Sequence, residues 1–170
     1  MTKRPLWAPW RIEYITGPKG GDCIFCAAAS SDEDRAHLVV ERGRHCFTML
    51  NAFPYAPGHA MIVPYRHVDG LEQLVDDDTL ELMQLARRAI AAMSDAMTPA
   101  GFNVGLNLGA VAGAGIVDHL HLHVVPRWLG DTNFMPVLAD THVLPQALDA
   151  AREVLAAAVG KLPPRGSVEG

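Results

Sequence analysis

The chain has 170 residues, a formal net charge of −5, 49% hydrophobic residues and 19% charged residues. That length suits one domain with a real core, and the composition excludes a disordered polymer. No apolar run reaches the roughly 20 residues that span a bilayer, and no Lys/Arg cluster supplies the cationic footprint of broad nucleic-acid binding, so neither a membrane nor a nucleic acid is expected as partner.

Along the chain, Met1–Ser31 reads as an irregular N-terminal extension with two tryptophans, a Gly-Pro-Lys-Gly-Gly turn signal and the pair Cys23/Cys26. Its first ten residues contain no apolar stretch of the signal-peptide kind, which points to the cytoplasm. Leu38–Glu41 and Cys46–Leu50 are β-prone and separated by Arg42-Gly43-Arg44, a hairpin signal. Asn51–Gly58 is a Pro-rich loop, and His59–Tyr65 is a third strand.

Asp76–Met97 reads as a long helix, with Asp76–Asp78 as N-cap and as charges suited to the positive end of the dipole. Leu80, Met83, Leu85, Ala89, Ile90 and Met93 recur at helical spacing as its apolar face, and Pro99 and Gly101 end it. Phe102–Leu108 is a fourth strand, Gly109–Gly115 a small-residue loop, and His119–Pro126 a fifth strand. Gln146–Val159 reads as a second helix, followed over residues 160–170 by a flexible tail. With neither repeat nor linker, residues 1–170 are expected to form one α+β domain: a sheet of about five antiparallel strands, a long helix and a C-terminal helix.

Two constellations carry chemistry. Cys23-Ile-Phe-Cys26 belongs to an odd set of three cysteines, which does not suggest a disulfide framework. Metal binding fits the pair better than redox chemistry, because no thioredoxin-like βαβ pattern follows. Cys46, alternating within a strand, reads as core.

The second constellation is His119-Leu-His121-Leu-His123. On a strand, alternate side chains share a face, so the three imidazoles would stand together while Leu120, Leu122 and Val124 face the core. Three chemistries are open to such a row: a polar solvated face, a catalytic metal site, or covalent catalysis by one imidazole. A neutral imidazole, with an unperturbed pKa of about 6.5, is an available nucleophile near pH 7. The small-residue loop just before the row would let backbone N–H groups approach an anion, or serve only as a turn. Asn51 suits either ligand binding or turn formation. His37, His45 and His142 belong to no motif and read as surface or packing residues.

The histidine row followed by Val124-Val125 resembles the signature of the histidine triad (HIT) family. Asn51 through His59, and Asn107-Leu-Gly through Gly115, resemble that family as well. Trp7-Ala-Pro-Trp10-Arg11 and Arg127-Trp128…Asp131-Thr-Asn133-Phe134 look like its diadenosine tetraphosphate hydrolase and phosphorylase branch. The resemblance implies a HIT-like fold and a homodimer whose sheets join. It also implies cleavage of dinucleoside polyphosphates through a nucleotidyl-histidine, with water or phosphate as acceptor.

By the same resemblance His121 is the nucleophile, and His123 and His59 steady it or contact phosphate. Asn51 holds the ribose, while Asn107, Gly113, Ala114, Gly115 and His123 hold phosphate. Structural zinc is held by Cys23, Cys26, His67 and His119, and magnesium would accompany the polyphosphate. The base pocket is expected to be apolar, with Phe25 and Leu50 as candidates. Gly115 stands where many of the family's hydrolases carry Gln and some phosphorylases Ser, so the acceptor stays open. A nucleoside phosphoramidase, a non-catalytic nucleotide-binding protein and a zinc-dependent hydrolase are the competing readings.

Overall fold

The computed structural model describes residues 23–131 and 147–165. They form α1 (Ile24–Ser30), β1 (Val39–Arg42), β2 (Cys46–Leu50), β3 (Ala60–Pro64), α2 (Asp76–Met97), β4 (Gly101–Leu106), β5 (Leu122–Arg127) and α3 (Leu148–Lys161). The strands make one five-stranded antiparallel sheet in the order β1-β2-β3-β5-β4. The α+β expectation and the five strands hold. Trp7–Arg11, Asn133, Phe134 and His142 lie outside the described residues.

Every residue of β2 and β3 is buried, because helices cover both faces of that half of the sheet. Cys46, Leu50, Ala60, Ile62, Leu122 and Val124 meet α2 and α3 through Leu82, Leu85, Ala89, Met93 and Leu155. The alternate residues Phe47, Met49, Met61 and Val63 meet α1 through Phe25 and Ala28. A strand covered on both faces shows a continuous apolar run instead of alternation, as Ala60–Pro64 does. Burial also pushes the Cys46 thiol up to about 12, which makes it an inert core residue.

Several local expectations are corrected. The N-terminal extension is not irregular throughout, since α1 occupies Ile24–Ser30. Arg42 ties the end of this helix to β1 by donating to the carbonyls of Ala28 (2.9 Å) and Ser31 (2.6 Å) and to Asp34 (2.8 Å). The N-cap of α2 is Val75, whose side chain cannot accept a hydrogen bond; Asp78, three residues in, instead accepts the Val75 N–H at 3.4 Å. Leu80 and Met83 point to solvent, and the buried stripe runs through Leu82, Leu85, Ala86, Ala89, Ala92 and Met93. The fifth strand begins at Leu122 rather than His119, because the Leu120 N–H donates to the Val68 carbonyl (2.6 Å) in the segment after β3. The expected tail starts as helix up to Lys161, and Arg165 bonds the Arg42 carbonyl at 3.2 Å. Among the described residues no helix is long and apolar enough to cross a membrane.

Candidate active site and metal centre

The site lies on the α1 face of the sheet, where β5 brings the histidines beside β3 and the loop that precedes it. His119, His121 and His123 are all buried, as is His59 at the start of β3. Gly58, at φ +80°, makes the turn that delivers His59; a Cβ there would lie 2.9 Å from Met97 Sδ.

The hydrogen bonds assign the tautomers. A carbonyl only accepts, so the 2.9 Å contact between His121 Nδ1 and the His119 carbonyl puts the proton on Nδ1. The lone pair of His121 is therefore on Nε2. The Tyr55 N–H donates to His59 Nδ1 at 3.1 Å, so in neutral His59 the proton sits on Nε2. That Nε2–H donates to His123 Nδ1 at 2.9 Å, which leaves the His123 proton on Nε2. The relay runs in one direction, from backbone through His59 to His123. Tyr55 stacks on His59 with ring centres 4.9 Å apart and 15° between planes, and the His121 and His123 rings meet edge to face at 4.8 Å.

His119 turns away from this pair. Its Nε2–H donates to the Pro64 carbonyl (2.9 Å), and its Nδ1 lies 3.3 Å from Cys23 Sγ and 3.7 Å from Cys26 Sγ. His67 Nδ1 lies 3.2 Å from Cys26 Sγ. The four donor atoms all sit within 4.8 Å of one another. A tetrahedral zinc with Zn–S near 2.3 Å and Zn–N near 2.0–2.1 Å has ligand–ligand edges of about 3.3–3.8 Å. The three contacts of 3.2–3.7 Å are close to those edges while the cluster as a whole spreads to 4.8 Å, and two sulfurs with two imidazoles are the donor set zinc prefers.

The outer shell fits as well. The Pro64 carbonyl fixes the His119 tautomer, and Asp118 lies 3.9 Å from His67 Nε2. Burial holds the His119 pKa down, reinforced by the charges of His67 and His121, so the ring is a neutral ligand near pH 7. Burial and the adjacent Cys23 push the Cys26 thiol up, a shift that a bound divalent cation would reverse.

A cleft opens over His121 and His123. It is lined by Ile24, Phe25, Met49, Leu50, Phe53 and Ile116 on its apolar side, and by Asn51, His37 and Gly115 as well. Phe25 and Leu50, the expected base-pocket candidates, are both here. Phe25 also packs on His119 (5.2 Å) and His121 (4.9 Å). Asn51 Oδ1 accepts the Phe53 N–H at 2.8 Å, which closes a turn. The turn expected of Asn51 is present, and the residue also lines the cleft. Asn107 donates to the Gly113 carbonyl at 3.5 Å and braces the small-residue loop. Of that loop Gly115 lines the cleft, whereas Gly113, at φ +91°, and Ala114 do not.

Sequence reasoning did not anticipate the cleft roles of His37, Met49 and Phe53. His37 is not merely a surface residue: Leu38, at φ +57°, turns the chain so that both residues line the cleft. A sequence offers no signal for a left-handed leucine.

A buried row of imidazoles with assigned tautomers, beside an apolar cleft and a Cys/His cluster on one antiparallel sheet, defines a histidine-triad protein. The HIT domain model matches residues 32–128, and the chain belongs to this family. It is 43% identical over 159 residues to the AP-4-A phosphorylase of Mycobacterium tuberculosis, covering 89% of this chain and 82% of that one. It is 29% identical over 105 residues to the adenosine 5′-monophosphoramidase of Schizosaccharomyces pombe, covering 62% and 74%. In three dimensions it resembles the Zn-bound histidine triad family protein of Mycobacterium smegmatis, with a TM-score of 0.67 and 24% identity over 82% of this chain and 94% of that one.

Proposed function

We propose that this chain, acting as one HIT domain, cleaves dinucleoside polyphosphates such as diadenosine tetraphosphate with inorganic phosphate as acceptor, through a nucleotidyl adduct on His121. The observation that carries the reading is the His121 Nδ1 bond to the His119 carbonyl, which commits the lone pair of the middle histidine to Nε2. The 43% likeness to an AP-4-A phosphorylase favours phosphate over water as acceptor.

In the first step Nε2 of His121 attacks the α-phosphorus. The N–P bond forms, the P–O bond to the next phosphate breaks, and its electron pair leaves with the departing nucleoside triphosphate. In the second step a phosphate oxygen attacks the same phosphorus, the N–P bond breaks, and the electron pair returns to Nε2. Diadenosine tetraphosphate and phosphate thus give ADP and ATP. Dividing one displacement into two is the advantage of a covalent nucleophile. His59 holds His123 with Nε2–H as donor, suited to a phosphate oxygen. Asn51 suits the ribose, the apolar cleft the base, and Asn107 with the loop through Gly113, Ala114 and Gly115 the phosphates.

Cys23, Cys26, His67 and His119 would hold zinc as a closed four-ligand site whose contribution is stability. Magnesium would arrive with the polyphosphate rather than on protein ligands. A homodimer is consistent with β4, an edge strand able to pair with a second copy.

The test is His121→Asn. The variant should fold, bind nucleotide and lose nearly all turnover, and wild type quenched during turnover of a labelled dinucleotide should carry acid-labile label on His121. Near-normal turnover by His121→Asn defeats the mechanism. ADP plus ATP as products supports phosphate as acceptor, whereas AMP plus ATP identifies water. The phosphoramidase reading is favoured if adenosine phosphoramidate is turned over much faster than the dinucleotide.

A further inference from the structure

A second groove lies on the same face of the sheet, beyond His123. It is lined by Tyr55 and His123 at one end and by Asn103, Val125 and Arg127 at the other. Register explains its shape. Gly105 stands opposite His123, Asn103 opposite Val125, and Gly101 opposite Arg127. Directly opposed residues in an antiparallel pair share a face. The row beside His123 therefore lacks a side chain at Gly105, where an added Cβ would meet nothing within 4 Å. Among the described residues α1 covers β2 and β3 but not this half of the sheet. From His123 to Arg127 the groove runs about 13 Å, at roughly 3.4 Å per strand residue.

Its far end is polar and held in place. Arg127 gives two N–H donors to Asp131, one of them at 2.8 Å, and a third to Asn103 Oδ1 at 3.0 Å. An arginine has five N–H donors and accepts nothing, so two remain. Because Asn103 is bonded through its oxygen, its amide N–H groups are what it offers to a ligand.

We propose that this groove is the subsite for the departing nucleoside polyphosphate and, once that has left, for the acceptor phosphate. The proposal rests on the function given above. The nucleoside joined to His121 must occupy the cleft that contains His121. Of the triad, only His123 lines both cleft and groove. In-line displacement sends the leaving oxygen away from the attacking nitrogen, so a phosphate chain running past His123 enters the open lane over Gly105 and reaches Asn103 and Arg127. By microscopic reversibility the acceptor approaches along the path of departure. The recognised chemistry is a chain of phosphates, met by amide and guanidinium N–H groups.

The experiment measures binding to His121→Asn protein, so that no turnover intervenes. AMP probes the cleft alone, and diadenosine tetraphosphate probes cleft and groove together. The parent should bind the dinucleotide more tightly than AMP. Adding Asn103→Leu, or separately Gly105→Val to plug the lane, should leave AMP affinity within twofold. Each should weaken the dinucleotide by about ten- to a hundredfold, the range for losing hydrogen bonds to a charged group. Equal affinity of AMP and dinucleotide in the parent overturns the proposal. So does a loss shared equally by both ligands, or no loss in either variant. Failure of the parent to bind either ligand instead removes the functional reading itself.

Discussion

Replacing His59 with Phe tests the relay that sets His123. Phe keeps a planar ring of similar size, so the stack on Tyr55, now at 4.9 Å and 15°, can persist. What disappears is the Nε2–H that reaches His123 Nδ1 at 2.9 Å, together with the acceptor for the Tyr55 N–H. His123 is buried, so its Nδ1 would be left without that partner. Such a buried unsatisfied group costs about 1–3 kcal/mol. If that cost falls on the transition state, in which the His123 proton must be correctly placed, kcat falls about 5- to 150-fold at about 1.4 kcal/mol per decade. KM should change little, because the cleft around Asn51 and Leu50 is untouched. Steady-state kinetics on diadenosine tetraphosphate with phosphate provides the assay, with a melting curve to show that the variant is folded. His59→Gln, whose amide can donate to the same nitrogen, should recover part of the loss. A folded His59→Phe enzyme with kcat within twofold of wild type would refute the relay.

Three further outcomes follow from separate parts of the molecule. Purified protein should contain about one zinc per chain, and Cys23→Ser with Cys26→Ser should abolish the metal and lower the melting temperature; metal-free wild type of undiminished stability would contradict the site. Although burial opposes it, three backbone N–H donors from Arg44, His45 and Cys46 hold the Glu81 pKa below the ordinary carboxylate value. The stabilisation is therefore complete above an unfolded pKa of about 4.3 and disappears as pH falls through the lower folded value. Glu81→Gln should flatten urea-unfolding stability across the acid range, and an unchanged pH profile would exclude Glu81 as a source of acid sensitivity. Gly58→Ala meets both a φ of +80° and Met97 Sδ at 2.9 Å; it should destabilise by about 1–3 kcal/mol, with a wild-type melting temperature as the contrary result.

The strands and the long helix could be read from the chain because their signals are local. Asp76–Met97 was bounded correctly by acids at one end and Pro99 and Gly101 at the other. The outward position of Leu80 and Met83 was not readable, since helical spacing reports a period and not which of two apolar stripes meets the sheet. α1 was missed for a different reason. Seven residues give little periodicity, and this helix is held by partners distant in sequence: Arg42 at its end, and His67 and His119 beside its cysteines. The triad was legible because its function resides in residue identity at fixed spacing. The directions of its hydrogen bonds depend on a backbone carbonyl and a loop N–H, which no motif encodes. The β4-side groove was invisible because it is formed by register, through the pairing of Gly105 with His123.

α1 places alternate duties on adjacent residues. Cys23 and Cys26 belong to the candidate metal cluster, while Ile24 and Phe25 between them wall the cleft over His121. A divalent ion bound there would seat this short helix and so preset the cleft wall, and a nucleotide bound in the cleft would press on Phe25 and hold the cysteines in place. Two binding equilibria that share one rigid element are thermodynamically reciprocal: whatever factor zinc contributes to nucleotide affinity, nucleotide must contribute to zinc affinity. With the proposed zinc in place, its retention under a competing chelator would become a gauge of nucleotide occupancy, readable without following any chemical turnover.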